Sequence, residues 1–102
     1  MGRRLNVYIV DDSALQAGIA QALLEQAGHH VVTYSSGVDA LRAIPGRRPD
    51  CVLMDIMMPG LDGYELCGRL RAMEQLSGIK LVMMSTKEIG RASCRERVYV
   101  LV

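Results

Sequence analysis

The sequence contains neither tryptophan nor phenylalanine, and four tyrosines are all it has of the large aromatic side chains. Any core must therefore be assembled from Val, Ile, Leu, Met and Ala, and with half of the residues hydrophobic there is enough material for one. Aliphatic, β-branched strands of this kind suit a parallel sheet covered on both faces. Cysteine is scarce and odd in number. Cys51, Cys67 and Cys94 show no C-x-x-C spacing, which argues against a disulfide framework or a zinc motif and for reduced thiols in a cytosolic protein.

Neither sign of charge is in excess by more than one. The net charge of +1 gives no electrostatic argument for nucleic acid or for an anionic membrane. Residues 1–87 hold nine Lys and Arg against nine Asp and Glu, so three Arg and two Glu in the last fifteen residues supply the whole excess. No apolar run is long enough to span a bilayer. The run from Leu5 to Val10 is too short for a signal peptide and stops at Asp11 and Asp12. Asn6 stands where a myristoylation site wants Ser or Thr. What remains is a soluble, cytoplasmic chain of 102 residues, enough for one small domain.

The pattern alternates between strand-like and helix-like segments. LNVYIV (5–10), HVVTY (30–34), CVLM (51–54) and KLVMM (80–84) read as strands. Between the first two, Asp12 or Ser13 can cap a helix in which Leu15, Ile19, Leu23 and Ala27 recur on one face, with Gly28 as its stop. A short helix with Val38, Leu41 and Ile44 on one side follows SSG, and PGRRPD (45–50) reads as a loop. A third helix over 64–75 turns Leu66, Leu70 and Met73 inward. This β-α-β-α-β-α-β order predicts a parallel sheet with right-handed crossovers.

Ligands collect at the carboxyl ends of strands in such sheets. Asp11 and Asp12 end the first strand, Asp55 the third, and Ser85 with Thr86 the fourth. Each residue alone has a structural explanation: Asp12 or Ser13 as a helix cap, Asp62 beside Gly63 as turn chemistry. Their conjunction does not. Three carboxylates at one rim repel one another unless a cation or proton is present. A cluster of hard oxygens with open positions suits Mg²⁺.

VYIVDDSALQ, VLMDIMMPGLDGYELCGRLR and KLVMMST together resemble the receiver domain of two-component response regulators, over residues 5–86. The resemblance implies a flavodoxin-like, doubly wound α/β fold with sheet order 2-1-3-4-5. It implies Asp55 as phosphoacceptor from a sensor histidine kinase or phosphotransfer protein, and Ser85 as the switch hydroxyl. Mg²⁺ would be held by Asp11, Asp12, Asp55 and the backbone carbonyl of Met57, with Pro59 and Gly63 shaping the loop. Such a domain is a signalling switch and not a turnover enzyme, with no direct contact to nucleic acid or membrane, and the output domain lies outside this chain.

Other residues invite functions that the pattern does not support. His29 and His30 fall between the first helix and second strand, away from the acidic rim. The methionines read as core and loop packing, and Gly60 with Gly63 makes no dinucleotide fingerprint. Lys87 lies two residues past Ser85, whereas the catalytic Lys of receivers follows a fifth strand roughly twenty residues further on, so the chain offers none.

Residues 88–102, EIGRASCRERVYVLV, match neither the fifth strand nor the fifth helix of the family, which makes 1–87 a C-terminally truncated receiver. IGRASCRERV (89–98) is also the translation of a string resembling a common sequencing adapter, which marks the segment as a non-family tail of artefactual origin. The competing reading makes VYVLV (98–102) a surrogate fifth strand, although a parallel crossover needs about a dozen residues or more. Without a fifth strand, the fourth is expected to be a bare apolar edge. Two functions outside the switch follow from these features. One is a receiver-like interaction module that lacks the Lys and no longer switches. The other is a metal-dependent phosphohydrolase, disfavoured because Ile56 and Met57 occupy the positions of a second acid/base carboxylate.

Overall fold

A computed structural model describes residues 4–56, 58–84 and 99–101. Met57, Ser85, Thr86, Lys87 and the tail up to residue 98 lie outside the described residues. The elements run β1 (Asn6–Val10), α1 (Ala14–Gln26), β2 (His30–Tyr34), α2 (Gly37–Arg47), β3 (Cys51–Asp55), α3 (Gly63–Arg71), a single 3-10 turn (Glu74–Leu76), β4 (Lys80–Met84) and β5 (Tyr99–Leu101). The first four strands are parallel, as the alternating pattern predicts, and their order β2-β1-β3-β4 is the doubly wound flavodoxin-like one that the receiver resemblance implies. A parallel fifth strand and a fifth helix are absent among the described residues.

Each helix starts on a side chain that satisfies a backbone N–H left over by the first turn. Ser13 Oγ accepts from Gln16 N–H at 3.2 Å, Ser36 Oγ from Asp39 N–H at 3.1 Å, and Asp62 Oδ1 from Glu65 N–H at 2.9 Å. Asp62, read from the sequence as a turn residue, is thus the cap of α3. Strand alternation sends Tyr8, Val10, Val52, Met54, Leu81 and Met83 to one face, where they meet Ala40 and Ile44 of α2 and Leu66 and Leu70 of α3. Val7, Ile9 and Val31 face the other way, onto Ala17, Ala20 and Leu24 of α1.

That second layer corrects the predicted face of α1. Leu15, Ile19 and Leu23 are 73%, 54% and 62% exposed. The helix carries two apolar stripes, and the short connection from Asp11 to the Ser13 cap sets its rotation so that the small Ala17 and Ala20 rest on the sheet. Val38 likewise points outward, while Ala40 and Ile44 hold α2 to the core. The loop expected from residue 45 begins later. Pro45 forfeits one helical hydrogen bond, yet Arg48 N–H reaches Ile44 carbonyl at 2.9 Å and closes another turn, with Arg48 left-handed at φ 45°.

The expected bare edge is also corrected. β5 pairs antiparallel with β4, setting Tyr99 against Met84, Val100 against Met83 and Leu101 against Val82. An antiparallel neighbour needs no crossover back to the start of the sheet. The fourteen residues between Met84 and Tyr99 therefore suffice.

Candidate functional site

β1 and β3 are adjacent and in register, with Val10 opposite Met54, so the residues that follow them meet at one rim. Asp11, Asp12 and Asp55 each bring a carboxylate oxygen within 4.8 Å of the other two. Asp11 and Asp55 are buried, 5% and 1% exposed, and Asp12 faces solvent. One backbone bond and one side-chain bond fix the first of them: Asp11 N–H donates to the Tyr34 carbonyl at 3.0 Å, and Asp11 Oδ1 accepts from Ser13 N–H at 2.9 Å.

The other side of the site is built by close approach. Gly63 N–H donates to the Ile56 carbonyl at 3.1 Å, and a Cβ on Gly63 would fall 2.6 Å from the Asp55 carbonyl oxygen. Only glycine lets the start of α3 lie this near the end of β3. Pro59 is followed by Gly60 at φ 78°, the combination a type II turn uses to fold a loop back. A Cβ on Gly37 would meet the Leu61 carbonyl oxygen at 2.6 Å, so the same loop also rests on the start of α2.

Among the described residues the clustered ligand atoms at this rim are carboxylate oxygens, and two of the three residues are buried. This is the chemistry of a site for a small, hard divalent cation that keeps positions open for water or an anionic substrate. Of the residues singled out by sequence, the structure brings Asp11, Asp12 and Asp55 together, with Gly63 against Asp55. Met57 and Ser85 lie outside the described residues. His29 is elsewhere, its Nδ1 accepting from Leu5 N–H at 3.2 Å, and His30 sits in the row of Asn6 at the opposite end of β1. Lys80 is the one lysine among the described residues; it starts β4 four rows away from Asp55.

Cys51 and Cys67 are free thiols, as the spacing predicts. Burial pushes both above the usual thiol range. For Cys51 the Asp50 carboxylate adds to the effect and Lys80 opposes it; for Cys67 Arg71 opposes it. Burial likewise raises Tyr34, whose ring packs on Tyr8 with centroids 5.7 Å apart. Sequence reasoning passes over Gly37 and Gln16. Nothing in the sequence marks Gly37 as a point of contact. Gln16 did leave a signal, the S-x-x-Q spacing from Ser13.

Residues 7–95 match the model of the response regulator receiver domain, a span that takes in part of the segment set apart above as a tail. Among curated proteins, the transcriptional regulatory protein AfsQ1 of Streptomyces coelicolor is 42% identical over 74% of this chain and 33% of its own length. Protein PilG of Pseudomonas aeruginosa is 36% identical over 82% of this chain and 62% of its own. The chain thus spans a third to under two thirds of these relatives. Among solved structures, the N-terminal domain of a response regulator receiver protein from Methanoculleus marisnigri superposes with a TM-score of 0.77 at 31% identity, covering 85% of this chain and 71% of that one. The receiver domain of sensor histidine kinase PA1611 from Pseudomonas aeruginosa, solved with a magnesium ion in its active site cleft, gives 0.74 at 27% identity, covering 79% and 66%.

Proposed function

Because the chain belongs to the response regulator receiver domain family, we propose that it is the phosphoacceptor of a two-component phosphorelay, with Asp55 as the residue modified. The observation that carries this reading is the convergence of Asp11, Asp12 and Asp55 at one rim, with Asp55 all but sealed from water at the end of a central strand. A carboxylate held there is a competent nucleophile towards phosphorus.

In the proposed step an Asp55 carboxylate oxygen bonds to the phosphorus of a phosphohistidine as the phosphorus–nitrogen bond breaks. The donor imidazole leaves with that electron pair and takes a proton, and Asp55 becomes an acyl phosphate. Asp11, Asp12, Asp55 and the Met57 carbonyl would hold Mg²⁺. When bound, the ion supplies charge neutralisation for the transferring group. Ser85 would then hydrogen-bond a phosphoryl oxygen and draw the segment after β4 inward, while Pro59 and Gly63 hold the loop over the site. The partner is a sensor histidine kinase or a phosphotransfer protein, and the output lies in a domain outside this chain. The role is that of a cytoplasmic signalling switch and not of a turnover enzyme; no helix among the described residues is long and apolar enough to cross a membrane.

Incubation with acetyl phosphate and Mg²⁺ tests the proposal. The expected result is one added phosphoryl group, mapped to Asp55 by borohydride trapping and lost in Asp55→Asn. Equal labelling of the variant overturns the assignment. A second reading, an interaction module that does not switch, is favoured by one observation: the lone described lysine, Lys80, stands at the far end of β4 from Asp55. Mg²⁺ binding without any phosphorylation would select it.

A further inference from the structure

Ser13, Ala14, Leu15 and Gln16 spell the S-x-x-Q pattern of a capping box at the start of α1. In a complete box the serine hydroxyl accepts the N–H of the third helical residue, and the glutamine carbonyl at that residue reaches back to accept the serine N–H. Here the first bond is made, Gln16 N–H to Ser13 Oγ at 3.2 Å. The second is not, because Asp11 Oδ1 takes the Ser13 N–H at 2.9 Å. Gln16 Oε1 is left buried with no hydrogen-bond partner. An acceptor that has lost water and gained nothing is a standing cost to the fold. Helical side chains lean toward the N-terminus, the direction in which a capping-box glutamine reaches back to the cap N–H.

We propose that Gln16 is a positioning residue for the cation site. When a divalent cation draws the Asp11 carboxylate to itself, the Ser13 N–H passes from Asp11 Oδ1 to Gln16 Oε1 and the capping box closes. This rests on the reading of Asp11, Asp12 and Asp55 as a cation site. The exchange leaves the cap satisfied in both states: the backbone donor changes acceptor, and the orphaned amide oxygen gains the donor it lacks. Asp11 can therefore turn to the cation without uncapping α1, and Gln16 favours the loaded state by about one hydrogen bond.

The test uses the full chain labelled with ¹⁵N and ¹³C and titrated with Mg²⁺. Scalar coupling through the hydrogen bond should link the Ser13 amide to the Asp11 carboxylate carbon before titration and to the Gln16 amide carbon after it. Gln16→Met, a linear apolar isostere, should weaken Mg²⁺ binding about three- to tenfold, the net worth of one hydrogen bond. It should also raise the Tm of the cation-free chain, because it removes the orphaned oxygen. Gln16→Glu keeps the acceptor and should bind Mg²⁺ at least as tightly as the parent. A Ser13 coupling that stays on Asp11 while Mg²⁺ shifts the Asp12 and Asp55 amides overturns the inference and leaves the cation site standing. No shift at any of these amides overturns both. Unchanged Mg²⁺ affinity in Gln16→Met, or a fall in affinity together with a lower cation-free Tm, also overturns it, since the latter is the mark of a merely structural side chain.

Discussion

Gly63 and Asp55 are in backbone contact: a Cβ on Gly63 would stand 2.6 Å from the Asp55 carbonyl oxygen and 2.9 Å from Ile56 Cα. Neither neighbour is a flexible side-chain tip that could swing away. The strand that ends in Asp55 and the helix after its loop are therefore set at a distance that one methyl group would change.

Gly63→Ala must push α3 away from β3, and overpacking of this kind costs about 1–3 kcal/mol. We expect a lower urea midpoint with an unchanged slope, together with slower labelling of Asp55 by acetyl phosphate. A midpoint equal to that of the parent chain would show that α3 yields without cost and that the glycine is incidental.

The two apolar stripes of α1 make opposite predictions about stability. Leu15, Ile19 and Leu23 face solvent, so Ile19→Gln should change unfolding free energy by less than about 0.5 kcal/mol. Leu66, fully buried between α3 and the sheet, should lose about 2–5 kcal/mol as Leu66→Ala. Denaturant unfolding of the two variants side by side decides the matter. A large loss from Ile19→Gln would mean that this stripe is covered in solution.

Alkaline pH should destabilise the fold through its thiols. Cys51 and Cys67 hold their protons in the folded state above the ordinary value of 9.0, chiefly because burial disfavours the thiolate. The unfolded chain releases the same protons at the ordinary value. Stability from this source is complete below that pH and is lost as pH rises through the folded values. Tyr34 extends the loss beyond its ordinary 10.0 for the same reason. Urea midpoints should thus fall from neutral to alkaline pH, and Cys67→Ala should flatten part of the slope. A midpoint flat across that range would contradict the assigned burial.

Much of the site was legible because its residues end strands. A run such as CVLM leading directly into Asp55 announces a buried strand with a carboxylate at its carboxyl end, and the parallel register of β1 and β3 does the rest. Alternation predicted the strands well for the same reason, since a period of two leaves little choice of face. The rotation of α1 was not legible. Its thirteen residues hold a single charged side chain, Glu25, so no polar face tells the solvent side from the sheet side. The inward set proved to be the one with small alanines, fixed by a three-residue connection and not by hydrophobicity. Pro45 misled in the opposite direction, because one missing N–H does not end a helix whose next turn can still close on Ile44. The antiparallel direction of β5 was not legible either, because a β-α-β pattern implies parallel returns only.

The direction of β5 fixes where anything appended to the chain must go. β4 climbs toward the carboxylates, so β5, laid against it in reverse, descends: Tyr99 is level with Met84, and Leu101 is already down at Val82. A reporter dye or fused protein joined after Leu101 would leave the sheet heading away from Asp55. Such a fusion would report on the body of the domain while leaving the mouth of the site clear for a donor.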